Sequence, residues 1–68
     1  MTLSARNKLR GQIQELVLGD IMAHVMVKVG DNLIESVITR RSAEELKLKK
    51  GDTVSAVVKA TEVMIQKD

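Results

Sequence analysis

The 68-residue sequence has no cysteine, no proline and no aromatic residue, and it contains a single histidine. Without cysteine there are no disulfides and no thiolate zinc sites, and one histidine cannot form a histidine cluster. A domain of this size buries only about 60% of its unfolded surface and usually needs a disulfide, a metal or partner subunits. The sequence therefore predicts a single domain over residues 1–68 that forms a homo-oligomer.

The absence of aromatic residues also bears on nucleic acids. Small β-barrels that bind single strands stack bases on aromatic side chains, which contributes about 1–3 kcal/mol per base. The net charge is only +2, and the densest basic run, residues 47–50, is short and comes just before a turn. A nucleic-acid interface needs a clustered basic face. We therefore expect no nucleic-acid partner.

Long hydrophobic runs are missing as well. No apolar stretch approaches the roughly 20 residues that a membrane-spanning helix needs. The first residues, Met1 to Arg6, lack the apolar segment of a signal peptide. We expect a cytoplasmic protein with no membrane partner.

What the sequence does contain is typical of short strands. Gly-Asp pairs begin at Gly19, Gly30 and Gly51 and predict turns. A first strand is predicted from about residue 5 to residue 18, with a bulge or bend near Gly11 or Glu15, where the alternation of apolar residues breaks.

The second strand, over residues 21–29, has the most regular alternation in the chain. Ile21, Ala23, Val25, Val27 and Val29 form the face predicted to point into the core. The opposite face carries Met22, His24 and Met26 and is half apolar, which is typical of a subunit interface in a small domain.

A third strand is predicted over residues 32–39, followed by one short helix. Ser42 and Glu45 have the spacing of a capping box, and Gly51-Asp52 ends the helical segment. Further strands are predicted near residues 53–59 and 62–66. This order predicts an all-β fold, a five-stranded OB-fold Greek-key barrel with one short helix between strands 3 and 4. An SH3-like barrel is the alternative.

Enzyme chemistry is not supported by the residues. There is no glycine-rich phosphate loop, no cysteine nucleophile and no metal-ligand spacing. His24 has no serine or carboxylate at a defined spacing, so we interpret it as an interface residue. The sequence predicts that the protein is not an enzyme and has no metal cation ligands.

Three short segments instead offer convergent donors for a small anion. They are residues 4–7, with a hydroxyl, a guanidinium and a carboxamide; residues 59–61, with an ammonium and a hydroxyl; and residues 39–43, where the helix begins. Hydroxyls, backbone N–H groups and one or two cations are the groups that recognise oxyanions. Anion binding is the function that the residues themselves favour.

The same segments resemble the molbindins, small molybdate-binding proteins. The resemblance covers nearly the whole chain and is carried by residues 1–11, MTLSARNKLRG, residues 38–46, ITRRSAEEL, and residues 53–65, TVSAVVKATEVMI. It implies an OB-fold protein that binds molybdate or tungstate in the cytoplasm, without an organic cofactor. It also implies a hexamer with anions held between subunits.

The resemblance further implies the roles of individual residues. One side of the oxyanion site would comprise Ser4, Arg6, Lys59 and Ala60, and a neighbouring subunit would close it with Thr39 and Ser42. Backbone groups or support would come from Ala5, Asn7 and Thr61. Position 60 is often serine in the family and is alanine here.

The implied role is molybdenum storage, buffering or homeostasis. Two alternatives stay open, a nucleic-acid-binding OB-fold module and a structural assembly module without a ligand. Salt-dependent binding to single strands would support the first, and an oligomer indifferent to oxyanions would support the second.

Overall fold

The computed structural model describes residues 6–68 of the chain. They form an antiparallel sheet of four strands in the order β3-β2-β1-β4, together with one short α-helix. The elements are β1 (Asn7–Leu18), β2 (Met22–Val29), β3 (Asn32–Thr39), α1 (Arg40–Glu45), β4 (Thr53–Val58) and a 3-10 helix (Ala60–Glu62). The prediction of an all-β fold with one short helix between strands 3 and 4 is confirmed.

The long strand β1 belongs to both halves of the sheet. Its first half pairs with β4, from Asn7 opposite Val58 to Gln12 opposite Thr53. Its second half pairs with β2, and the register shifts between Ile13 and Glu15. A bulge increases the local twist of a strand, so β1 can bend from one partner toward the other. The predicted irregularity near Glu15 is therefore confirmed.

The core lies on one face of this sheet and is entirely aliphatic. Ile13, Val25 and Val27 are buried, and Leu16, Val29, Ile38, Leu48 and Val54 pack against them. Along β2 the buried residues alternate with more exposed ones, as predicted for a strand with one face in the core. The prediction was wrong for Ile21, which lies before β2 and is 76% exposed. Apolar side chains from all four strands thus pack on this face together with Leu48, which follows the helix.

The helix begins earlier than the sequence pattern predicts. Its N-cap is Thr39, whose hydroxyl accepts a hydrogen bond from the backbone N–H of Ser42 at 3.1 Å. The capping-box assignment of Ser42 with Glu45 is therefore wrong. Because the helix starts at Arg40, the two glutamates lie in its second half and not in its first turn.

The helix ends in a Schellman motif. The N–H of Lys47 donates to the carbonyl of Glu44 at 3.0 Å, and the N–H of Leu48 donates to that of Ala43 at 3.1 Å. Lys47 adopts φ 54°, the left-handed conformation that glycine usually fills in this motif. The helix is thus stopped by Lys47, four residues before the predicted stop at Gly51.

The predicted fifth strand differs from the structure. Residues 60–62 form a 3-10 turn, and residues 63–68 have no regular secondary structure. Met64 and Ile65 are 93% and 89% exposed. The outer edges of β3 and β4 remain unpaired in this chain, so residues 63–68 add to neither of them. Between them lies an apolar cleft of about 280 Å³.

No helix within residues 6–68 is both long enough and apolar enough to cross a membrane.

Candidate functional site

The predicted anion donors at the two ends of the chain meet at one end of the sheet. Arg6 directly precedes β1, and Lys59 directly follows β4. Since Asn7 pairs with Val58 in an antiparallel register, the next position outward on each strand carries a cation. The sheet therefore brings Arg6 and Lys59 together. Ser4 and Ala5 lie outside the described residues.

The charge at this end is positive and exposed. Neither Arg6 nor Lys59 takes part in any of the ion pairs among residues 6–68, and both are exposed. Two adjacent cations without a carboxylate partner repel each other. A bound dianion would relieve this repulsion and form charge-assisted hydrogen bonds with both groups.

Backbone donors lie beside these cations. Ala60 and Thr61 begin the 3-10 helix, for which Lys59 is the N-cap, and Glu62 N–H donates to the Lys59 carbonyl at 2.9 Å. The first N–H groups of a helix have no acceptor within the helix and are available to a ligand. The alanine at position 60 leaves its N–H in place and lacks only the hydroxyl.

An open hollow of about 700 Å³ adjoins this end of the sheet. Asn7 and Glu62 are its polar lining residues, and the other lining residues are apolar: Leu9, Val58, Ala60, Val63 and Ile65. The carboxylate of Glu62 is the one acidic group among these lining residues. The space is open, so it provides access for a ligand but does not enclose one.

The second predicted donor pair, Thr39 and Ser42, forms a local hydrogen-bonded unit. Thr39 Oγ1 donates to Ser42 Oγ at 2.8 Å and accepts from Ser42 N–H at 3.1 Å. Because Ser42 Oγ accepts this bond, its own proton remains available to another acceptor. The pair thus presents one free hydroxyl donor at the start of α1.

Arg40 fixes the position of this pair and was not identified from the sequence. Its backbone N–H donates to the carbonyl of Ile21 at 2.7 Å, and its Nη1 donates to that of Gly19 at 3.2 Å. Both bonds tie the start of α1 to the β1–β2 turn. A cation in the first turn of a helix is unfavourable, because it lies at the positive end of the helix dipole. The presence of an arginine at this position was therefore the feature of the sequence that could have indicated a further role for Arg40.

The two donor groups lie at opposite ends of the sheet. Thr39 pairs with Met22, near the C-terminal end of β1, whereas Arg6 precedes its N-terminal end. One chain does not bring the predicted site residues into a single cluster. The predicted sharing of the site between subunits stays a prediction.

Comparison with known proteins defines the family. The family model for the TOBE domain matches residues 3–65. Molybdenum-pterin-binding protein 1 of Clostridium pasteurianum is 46% identical over 66 residues, which are 96% of this chain and 97% of that protein. The chain belongs to the molbindin family of TOBE-domain proteins.

Solved structures agree with this assignment. A molybdate-binding protein from Sporomusa ovata superposes with a TM-score of 0.94 at 39% identity, covering 98% of this chain and 100% of that one. The molybdate-bound cytoplasmic protein ModG superposes with a TM-score of 0.82 at 38% identity, covering 88% of this chain and 43% of ModG. The likeness therefore extends over nearly the whole fold.

Proposed function

We propose that this protein binds molybdate and tungstate in the cytoplasm, as a store, buffer or homeostatic carrier of molybdenum, and that it is not an enzyme. The observation that carries the proposal is the meeting of Arg6 and Lys59, without carboxylate partners among the described residues, at one end of the β1–β4 pair. The molybdate-binding structures that superpose on this chain support the choice of anion.

Recognition follows from charge and from donor geometry. Molybdate is a tetrahedral dianion, and one guanidinium with one ammonium neutralises it. Ser4 and the N–H groups near Ala60 would hold oxygen atoms on the same side, with Asn7, Thr61 and Ala5 in support. Fixed donors discriminate by size, so the smaller sulfate and phosphate would leave donors unsatisfied.

The site would be completed by a second subunit. Since Thr39 and Ser42 lie at the far end of the sheet from Arg6, a neighbouring copy would have to supply them. We propose a homo-hexamer with anions between subunits. Binding across an interface stabilises the assembly by mass action, which suits a protein that stores its ligand.

Closure of the barrel belongs to the same proposal. The unpaired edges of β3 and β4 border the apolar cleft, and the exposed segment 63–66 carries Val63, Met64 and Ile65. We propose that residues 62–66 form the fifth strand of an OB-fold barrel when copies associate, which would bury these side chains. The gain is about 25 cal/mol per Å² of apolar surface removed from water.

Isothermal titration with molybdate, tungstate, sulfate and phosphate tests the proposed function. We expect tight binding of the first two only, with at least about tenfold weaker binding in Arg6→Ala and Lys59→Ala, because each variant loses a charge-assisted hydrogen bond. Lys50→Ala is the matched control, since Lys50 is an exposed lysine in the turn before β4. Equal heats for molybdate and sulfate, or unchanged binding in both site variants, would contradict the proposal.

A further inference from the structure

A histidine, a glutamate and a methionine meet on the outer face of the sheet, which is the face opposite the core. His24 and Met26 are two residues apart on β2, so their side chains project from the same face. Glu35 of β3 lies directly opposite Met26 in the register, and its Oε1 lies 3.2 Å from Nδ1 of His24. Strand pairing thus places an imidazole, a carboxylate and a thioether beside one another.

The distance between the imidazole and the carboxylate suits two ligands of one metal ion. A nitrogen and an oxygen that are each about 2.0–2.2 Å from an ion stand roughly 3 Å apart when their bonds to it meet at about a right angle. In the hydrogen bond between His24 and Glu35 the proton belongs to Nδ1, because a carboxylate only accepts. A metal ion that takes this place releases that proton, as is usual when histidine becomes a ligand.

The surroundings of this pair are accessible and carry a net negative charge. The side chains of His24 and Glu35 are 53% and 60% exposed. Glu15 of β1 also lies opposite Met26, on the side away from Glu35, so two carboxylates flank the methionine. Lys28, two residues beyond Met26 on the same face, is the neighbouring cation on β2. Two negative charges against one positive charge favour a cation as the ligand.

The ligand types at this place select copper among metal ions. Within residues 6–68, no three His, Cys, Asp or Glu side chains are grouped to hold a metal ion. Zn²⁺ takes three or four such ligands in proteins and has too few here. A third ligand from the chain would be the thioether of Met26. Copper accepts nitrogen and oxygen ligands together with a weak axial methionine, and it forms the strongest complexes of the divalent first-row ions.

We propose that His24 Nδ1, the Glu35 carboxylate and the Met26 sulfur form a site for one Cu²⁺ ion on the outer face of the sheet. The site takes a cation and uses none of the residues of the oxyanion site, so it goes beyond the proposed function. The sequence-based prediction of no metal cation ligands relied on spacing along the chain. These three residues come together only through the pairing of β2 with β3.

The composition of the chain makes the test specific. Because His24 is its one histidine, an imidazole signal from bound copper has a single source. Titration of the purified protein with Cu²⁺ in oxyanion-free buffer should saturate at one ion per chain, and electron spin echo spectroscopy should show modulation by the imidazole nitrogen. His24→Gln should abolish this modulation and raise the Kd for Cu²⁺ at least about tenfold, and Glu35→Gln should raise the Kd by a similar factor.

Two matched controls separate this site from copper bound elsewhere on the surface. Met22 lies on the same face of β2 but on the other side of His24, away from Glu35. Met22→Leu should therefore keep the wild-type Kd, whereas Met26→Leu should raise it by about threefold or more. Asp31→Asn removes an exposed carboxylate from the turn between β2 and β3 and should leave the Kd unchanged. Circular dichroism verifies the fold of each variant.

Bound copper without imidazole modulation would overturn the proposal and indicate adventitious surface binding. Equal Kd values in Glu35→Gln and Asp31→Asn, or in Met26→Leu and Met22→Leu, would also overturn it. Zn²⁺ titrated in the same way should bind more weakly than Cu²⁺, because it lacks a third ligand of the kind it prefers. Equal affinity for the two ions would contradict a site that selects copper.

Discussion

Gly11 of β1 lies so close to the carbonyl oxygen of Lys28 that no Cβ fits between them. A Cβ at Gly11 would also come within 2.9 Å of the side chains of Val27 and Val29. The contact occurs where β1 leaves β4 and bends toward β2. Glycine is therefore needed here for close approach of two strands and not for a turn.

Gly11→Ala should lower the free energy of unfolding by about 2–3 kcal/mol, the upper range for overpacking, because backbone and not a flexible side chain blocks the new methyl group. Urea unfolding measures this loss. Gly30→Ala is the matched control: it has φ 60° and open space around it, so it should cost only about 1–2 kcal/mol. Equal costs at the two positions would contradict the close-approach explanation.

Thr39→Ala should destabilise the protein by about 1 kcal/mol, since it removes the hydroxyl that caps α1. Thr39→Ser should retain most of the stability because the serine hydroxyl can accept the same bond. Thermal or urea unfolding without oxyanions separates this effect from ligand binding. A larger loss in Ser42→Ala than in Thr39→Ala would mean that Ser42 is the cap after all.

Lys47→Gly should raise the free energy of unfolding by about 0.5–1 kcal/mol. A left-handed φ costs a lysine about 1–2 kcal/mol, and the greater freedom of glycine in the unfolded chain offsets part of the gain. Lys49→Gly is the control, because Lys47 is the one non-glycine residue among residues 6–68 with positive φ. Stabilisation of both variants, or of neither, would contradict the role assigned to the Schellman motif.

The regular parts of the fold could be predicted because they depend on local patterns. The alternation of apolar and polar residues along β2, and the point in β1 where this alternation is interrupted, can both be read from side-chain spacing within one strand. The helix start was ambiguous, since Thr39 and Ser42 stand three residues apart, as do Ser42 and Glu45. Only the backbone geometry decides between two such caps.

The remaining features depend on contacts that the local sequence does not specify. Residues 63–65 have the apolar composition of a strand, but within this chain they pair with neither of the free edges of β3 and β4. Likewise, Arg6 and Lys59 are neighbours because β1 pairs with β4, and no sequence spacing indicates that pairing. The predicted distribution of the site between subunits came from the family resemblance and stays a prediction.

If the proposed function is right, molybdate should raise the melting temperature in a concentration-dependent way. A ligand at 100 times its Kd contributes about 2.7 kcal/mol to the stability of the state that binds it. Differential scanning calorimetry over a molybdate series measures the shift, and sulfate at equal ionic strength is the control. The shift should be clearly smaller in Arg6→Ala at each molybdate concentration, and an equal shift with sulfate would indicate a non-specific salt effect.

Ala60→Ser should strengthen molybdate binding. Residue 60 begins the 3-10 helix next to Lys59, so a hydroxyl there would add one donor beside the N–H groups that are proposed to hold the anion. A hydrogen bond contributes about 0.5–1.5 kcal/mol net, which corresponds to a decrease in Kd of roughly 2- to 13-fold. Titration calorimetry of the variant measures the change, and Ala56→Ser on β4 is a control serine outside the site. Unchanged or weaker binding in Ala60→Ser would show that residue 60 does not face the anion.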